Sequence, residues 1–419
     1  MKSNIYQKLF CVSLSVLSLL VSCNDEPGEA DQIIQNNGCL LTEDKTAEGI
    51  AVAKVNLFIE TSGSMSGFMS AKGTDFQKEI WAVAEELDSR AKKGFNIFQV
   101  RSKTEPMRKI SIGDFRKPLN TGGFVSTKST DIPEMLDSIF SRAGKGTVSV
   151  LVSDLIFSPE NGNQAQLGQI TTDIRKRFAG GQRASVLLQL ASEFYKERSV
   201  NWSPYYIWII GEPKPVKVVS ATIKKVLEAR VNQVDFDIVL PVPKYSILPS
   251  ISQVTNAFPV ACSRDGGYYT YREFTEDDGT GMSFWIGADL SGLPSYMQSA
   301  DYLKKYLTLE SGEAGATLMK VGKAAEFGNG SDKKIVAALG LTHMFQLKMD
   351  QIGSGAVLGL NVERHVPSWI DELNLNKEDG QRQKTFGLMK MTTGLEAAMD
   401  KEKTALAFDH PLRIFITKN

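Results

Sequence analysis

Side chains with oxygen ligands stand two residues apart directly after one apolar run of this chain. Glu60, Ser62 and Ser64 follow residues 52–59, where valine, leucine, phenylalanine and isoleucine predominate. Such a run is typical of a strand that is buried on both faces. One carboxylate and two hydroxyl groups therefore share the loop after this strand. Oxygen ligands of this kind suit a hard divalent cation such as Mg²⁺.

Two later segments place further oxygen donors at comparable positions. Residues 147–153 predict a second doubly buried strand, and Asp154 follows it directly. Thr130 stands where a loop rich in Gly, Ser and Thr meets a helix predicted over residues 132–140, with Thr127 as the alternative. A residue in the position of Thr130 is also a common helix N-cap, and the two roles are compatible. Open α/β sheets bind ligands beyond the carboxyl ends of strands, at the point where the winding reverses.

The run Glu60-Thr61-Ser62-Gly63-Ser64 resembles the first metal-binding loop of von Willebrand factor A (vWA) domains, whose usual form is Asp-x-Ser-x-Ser. The resemblance implies a doubly wound, Rossmann-like α/β domain with a divalent cation at the top of its sheet. Thr130 and Asp154 match the threonine and the aspartate that the family places on two later loops. The resemblance further implies that the hydroxyls bind Mg²⁺, Mn²⁺ or Ca²⁺ directly and that the carboxylates act mainly through water. An acidic group of a partner protein would fill the open position.

Two positions depart from the family's pattern. Glu60 replaces an aspartate, and its longer side chain predicts weaker metal binding or a preference for the larger Ca²⁺. Leu155 follows Asp154 where the family has glycine, which predicts a different turn.

Strands and helices alternate on either side of these loops, as in a single doubly wound domain that we place at residues 50–231. The predicted helices are residues 74–92, 132–140, 166–178 and 220–231, and the remaining predicted strands are residues 95–100, 109–112, 184–190 and 205–210.

The pattern changes to short strands after residue 231. We predict a β-rich, sandwich-like domain at residues 232–419 with one long helix at residues 385–399. Its predicted strands are residues 234–240, 268–274, 282–288, 341–349, 356–363 and 412–417.

The N-terminus has the pattern of a bacterial lipoprotein. Residues 1–22 are a predicted signal peptide, and Leu20-Val21-Ser22-Cys23 has the form of a lipobox, so Cys23 is the predicted lipidation site. The polar, acidic residues 23–49 are a predicted tether, and their start resembles the export signals of Bacteroidetes surface lipoproteins. This places the protein in the cell envelope, at the outer membrane, on its surface or in the periplasm. Cys39 and Cys262 form a disulfide or remain separate thiols.

Charge and histidine content narrow the function. The 48 Lys and Arg balance the 48 Asp and Glu, so no strong basic field favours nucleic acid. The three histidines, His343, His365 and His410, all lie in the predicted second domain, which leaves no local base for a serine nucleophile. We therefore predict no enzyme and no catalytic residues, but a module for protein–protein interaction or adhesion. The alternatives are a metal-free structural module in an envelope complex and, less favoured, a hydrolase.

Overall fold

The computed structural model describes most of the chain after residue 51. The described residues are 52–70, 73–91, 94–101, 107–124, 132–156, 164–179, 183–196, 199–228, 231–240, 243–247, 257–258, 272–273, 282–310, 315–326, 330–349, 355–377, 382–399, 406–407 and 412–415. The predicted signal peptide and tether, Cys23, Cys39, Cys262 and Thr130 lie outside these ranges. No helix of the described residues combines the length and the apolar character needed to cross a membrane.

A seven-stranded mixed sheet forms the larger part of the fold, in the order β3-β2-β1-β4-β6-β5-β7. The strands β1, β2, β4 and β5 run in one direction, and β3, β6 and β7 run in the other. Their bounds are β1 Lys54–Glu60, β2 Phe95–Val100, β3 Arg108–Ile110, β4 Thr147–Ser153, β5 Ala184–Lys196, β6 Ser199–Gly211 and β7 Asn232–Phe236. The α/β class and the strands at residues 95–100 and 147–153 are thereby confirmed.

Helices cover both faces of this sheet. One face packs against α1 (Asp75–Arg90), α2 (Ile112–Thr121) and α5 (Pro213–Leu227), and the other against α3 (Ile132–Phe140) and α4 (Gln164–Phe178). Because successive side chains of a strand point to opposite faces, Leu57 and Ile59 of β1 enter the first core and Phe58 enters the second.

The winding of the sheet changes direction at β1. β2 lies on one side of β1 and β4 on the other, and both are parallel to it. The carboxyl ends of β1 and β4 therefore lie side by side at the place where α/β sheets bind ligands.

Several local predictions were wrong. The helix predicted at residues 385–399 begins only at Leu388, because Thr385 and Phe386 form a short strand. The residues between the strands predicted at 184–190 and 205–210 are not a loop, because β5 and β6 extend into a hairpin of 13 residues per strand. Only two residues separate these strands, which is too short for the helical crossover that parallel neighbours require. The sequence pattern predicts no helix at residues 112–121, but these residues form α2, which Ser111 caps.

The second part of the chain contains two antiparallel sheets, β13-β14-β11-β8 and β12-β15-β18, with β19 also paired to β15. Side chains from both sheets, among them Phe284, Phe345 and Leu360, share one apolar core. The strands are β8 Lys244–Ile247, β11 Met282–Asp289, β12 Leu307–Glu310, β13 Ala316–Lys323, β14 His343–Met349, β15 Gly355–Val362, β18 Leu406–Ala407 and β19 Leu412–Phe415, and the short pairs are β9 Ala257–Phe258 with β10 Arg272–Glu273 and β16 Asn374–Leu375 with β17 Thr385–Phe386. The helices are α6 Ala300–Tyr306, α7 Gly330–Ala338, α8 Trp369–Glu372 and α9 Leu388–Ala398.

The large sheet extends past residue 231, the predicted domain boundary. β7 pairs with β5, and α9 packs on α4 so closely that a Cβ atom on Gly394 would lie 2.7 Å from the carbonyl oxygen of Thr171. We call residues 382–399, which contain β17 and α9, the C-terminal cover. The second face of the sheet is thus completed by residues that were predicted to belong to the β-rich domain at residues 232–419.

Candidate metal site

Four of the five predicted metal ligands are described, and all four lie at the carboxyl ends of β1 and β4. Glu60 ends β1, Ser62 and Ser64 follow it, and Asp154 follows β4. Glu60, Ser62 and Asp154 are each 2% exposed, although such polar groups are seldom buried without partners. The fifth, Thr130, lies outside the described residues.

Glu60 binds two serine hydroxyls rather than facing solvent. Ser62 Oγ donates to Glu60 Oε1 over 2.7 Å, and Ser153 Oγ donates to Glu60 Oε2. Ser62 Oγ and Ser64 Oγ lie 3.0 Å apart, and either hydroxyl can donate in this contact.

Neighbouring residues fix the loop after β1. The Thr61 hydroxyl donates to the carbonyl oxygen of Val100 on β2 over 2.9 Å, which ties the loop to the neighbouring strand. Ser62 begins a 3₁₀ turn, Gly63–Met65. Farther along, Gly67 lies against the Phe194 ring, where a Cβ atom would approach the ring to 2.6 Å.

Asp154 has one bonded and one open carboxylate oxygen. Its Oδ1 accepts the Ile156 amide proton over 3.1 Å, and its own amide donates to Met65 Sδ. Its Oδ2 is buried and has no hydrogen-bond partner among the described residues. Leu155 has a φ of 52°, the left-handed region that favours glycine, at a cost of about 1–2 kcal/mol. The Leu155 side chain is 2% exposed in the core, and that burial offsets the strain.

The surroundings of Asp154 disfavour its negative charge. Burial, and then the charge of Glu60, raise the pKa of Asp154 to about 7, while the Ile156 amide, the Ser64 hydroxyl and Arg382 oppose the increase. A nearby cation would reverse this penalty, because an opposite charge favours the ionised carboxyl.

Three residues near Asp154 come from distant parts of the chain. Arg382 Nη1 lies 4.0 Å from Asp154 Oδ2. The Thr385 hydroxyl contacts the Asp154 carbonyl oxygen at 3.4 Å and the Tyr206 hydroxyl at 2.9 Å. Sequence analysis missed these residues, since no local pattern marks them. It also missed the role of Ser153, although this serine is the last residue of a strand that was correctly predicted.

The residues present fit a hard divalent cation. Ser62, Ser64 and Asp154 offer hydroxyl and carboxylate oxygens, and the buried Asp154 Oδ2 without a hydrogen-bond partner is what an oxygen-coordinated cation would satisfy. No three His, Cys, Asp or Glu side chains of the described ranges come together as a metal cluster. A cation here would therefore depend on hydroxyls and bound water as well as on the two carboxylates.

The described histidines have partners elsewhere. His343 contacts the Gln298 carbonyl oxygen at 2.8 Å, and His365 contacts Glu363 at 3.0 Å. His410 lies outside the described residues.

Comparisons with protein-family models, with curated proteins and with solved structures found no match to this chain.

Proposed function

We propose that this protein is a lipoprotein of the bacterial cell envelope whose vWA-like domain binds a partner protein through a divalent cation. In this proposal Ser62, Ser64 and Thr130 bind the cation directly, and Glu60 and Asp154 act mainly through water. Lipid chains on Cys23 hold the protein to the outer membrane, and an acidic side chain of the partner completes the coordination.

The observation that carries the proposal is the convergence of Ser62, Ser64 and Asp154 around an open carboxylate oxygen. Asp154 is 92 positions from Ser62 and 90 from Ser64, yet the three residues stand where β1 and β4 end side by side. Parallel pairing of β1 with β2 and β4 supports the vWA-like assignment for this half of the sheet. In the other half of the sheet, β6 and β7 are antiparallel to their neighbours, unlike the strands of a parallel doubly wound sheet.

Each residue has a distinct task. Glu60 accepts the hydroxyl protons of Ser62 and Ser153 and so orients Ser62. A cation held by these residues would supply a Lewis-acidic position for an anionic ligand. Asp154 supplies the negative charge that the cation offsets, and it is already positioned because Ile156 holds Oδ1. Through its second oxygen Glu60 also ties the loop after β1 to Ser153, the last residue of β4.

Calorimetric titration of the full-length protein with Mg²⁺, Mn²⁺ and Ca²⁺ tests the site. We expect binding by the wild type and a loss of at least about tenfold in affinity for Asp154→Asn, which keeps the shape and removes the charge. Asp235→Asn is the matched control, because Asp235 is also a buried aspartate of the large sheet but lies on β7. Equal affinities for the wild type and Asp154→Asn would refute the metal site.

The envelope assignment is tested separately with Cys23→Ala. We expect this variant to keep its signal peptide and to be absent from the outer-membrane fraction. Unchanged processing and membrane association would refute lipidation at Cys23.

A metal-free structural module is the second candidate, and a specific contact favours it. Arg382 already places a positive charge 4.0 Å from Asp154 Oδ2. In this case none of the three cations would bind, and the partner would contact other surfaces. A hydrolase remains a less favoured prediction, since neither described histidine is bonded to the serines of the site.

A further inference from the structure

The C-terminal cover directs a guanidinium toward the open oxygen of the candidate site. Arg382 Nη1 is 4.0 Å from Asp154 Oδ2, and that oxygen has no hydrogen-bond partner among the described residues. At 4.0 Å the two groups attract each other but do not form a hydrogen bond. Arg382 therefore supplies positive charge to Asp154 without satisfying its lone pairs.

Several contacts hold Arg382 in this place. Its guanidinium lies 4.8 Å from the centre of the Phe194 ring, a favourable position for a cation. The next residue, Gln383, contacts Asn201 at 3.4 Å, and Thr385 contacts the Asp154 carbonyl oxygen. The Arg382 side chain is 27% exposed whereas Asp154 is 3% exposed, so the guanidinium lies on the solvent side of the carboxylate.

We propose that Arg382 is a tethered cation that competes with the divalent metal for Asp154 and thereby sets the metal affinity of the site. This inference rests on the proposed function, whose metal site it refines. It assigns to the C-terminal cover a control over a site that is otherwise built from the loops after β1 and β4.

Simple electrostatics supports competition rather than cooperation. A cation bound by Ser62 and Ser64, with Asp154 acting through water, would lie close to the guanidinium, in a site of low dielectric constant where like charges repel strongly. Either the metal binds against this repulsion, or Arg382 moves outward into the solvent that it already faces. Both cases lower the affinity of the wild-type protein for the metal.

The test is calorimetric titration of full-length protein with Mg²⁺, Mn²⁺ and Ca²⁺ as the probes. We expect Arg382→Gln to bind the preferred cation at least about tenfold more tightly than the wild type. Arg382→Lys keeps the charge and should stay within about threefold of the wild type.

Arg116→Gln is the matched control for net charge. Arg116 also lies over an aromatic ring, 5.0 Å from the centre of Trp81, and its removal should leave the affinity unchanged. Unchanged or weaker binding by Arg382→Gln would overturn the inference, as would equal tightening by Arg116→Gln or by Arg382→Lys.

A measurement in EDTA separates this inference from the metal proposal. Denaturant unfolding of the wild type, Arg382→Gln, Asp154→Asn and the double variant forms a double-mutant cycle. Arg382 and Asp154 should be coupled, so that their effects on the unfolding midpoint are not additive. Additive effects would overturn the contact whatever the metal does. Coupling without metal binding by any variant would refute the metal proposal and the competition, and would leave Arg382 as a structural partner of Asp154.

Discussion

The two faces of the large sheet are covered in different ways. The first face packs against α1, α2 and α5, which are all connected directly to strands of the sheet. The second face packs against α3 and α4 and also against the C-terminal cover, which follows β7 by about 150 residues. Segments close in sequence to the strands thus cover the first face. The second face is covered completely only when the C-terminal cover packs against it.

Two adjacent tyrosines of β6, Tyr205 and Tyr206, show how the contacts of the two faces differ. Both are fully buried and point to opposite faces. The Tyr205 hydroxyl donates to Glu79 on α1, whereas the Tyr206 hydroxyl bonds Thr385 of the C-terminal cover. The candidate site lies beside the second contact, so the long-range cover rather than the local helices decides what faces Asp154.

The largest expected effect comes from removing everything after residue 231. A fragment of residues 50–231 lacks β7 and α9, whose Leu388, Met391 and Leu395 are at most 2% exposed. Each such side chain contributes about 1.5–3 kcal/mol when buried, and the sum is comparable with the stability of a whole domain. We expect the fragment to aggregate or to unfold without a cooperative transition, as followed by circular dichroism.

The wild-type chain in the same buffer is the control for this fragment. A cooperative transition of the fragment would mean that the local helices suffice, as the predicted domain boundary implies.

A smaller effect concerns pH. The pKa of Asp154 is raised from 3.8 to about 7 in the folded state, so its contribution to stability is present below about pH 4 and is lost as the pH rises toward 7. In EDTA, Asp154→Asn should therefore become more stable than the wild type as the pH increases over this interval. One pKa unit corresponds to about 1.4 kcal/mol, so the gain should reach a few kcal/mol in urea unfolding. A difference that stays constant from pH 4 to pH 7 would contradict this prediction.

The close approach of α9 to α4 predicts that substitution of Gly394 lowers the stability of the protein. In Gly394→Ala the new Cβ would lie 2.7 Å from the Thr171 carbonyl oxygen and 2.9 Å from Ile174 Cβ. Overpacking of this kind costs about 1–3 kcal/mol, which thermal unfolding should detect. Gly168→Ala is the matched control within α4, because nothing lies within 4 Å of its Cβ position. The control should gain up to about 1 kcal/mol from helix propensity, and equal losses in both variants would contradict the close approach.

The smallest expected effect is a difference between the Tyr205→Phe and Tyr206→Phe variants. Tyr206→Phe should lose about 1 kcal/mol, the net value of one neutral hydrogen bond, and Tyr205→Phe about 1.5–3 kcal/mol, because its partner is the Glu79 carboxylate. Only Tyr206→Phe should speed hydrogen exchange in residues 382–387, because only Tyr206 bonds Thr385. Equal exchange in both variants would show that the cover does not depend on this bond.

Much of the parallel half of the sheet is predictable from local pattern. The strands at residues 95–100 and 147–153 and the helix at residues 132–140 have the predicted bounds. Continuous apolar runs and helical spacing are strong signals for buried elements. The hairpin of β5 and β6 was missed because Trp202, which is 57% exposed, and Pro204 interrupt its apolar pattern.

The amino-acid sequence by itself determined the oxygen donors Glu60, Ser62, Ser64 and Asp154, because each stands at the end of a strand that apolar spacing reveals, or shortly after it. Only the tertiary structure decided that Ser153 binds Glu60, that Asp154 Oδ2 stays open and that Arg382 faces it. These facts depend on contacts between residues that are 93 and 228 positions apart. A local pattern encodes which face of an element is buried, but the partner of that face is set by packing over the whole chain.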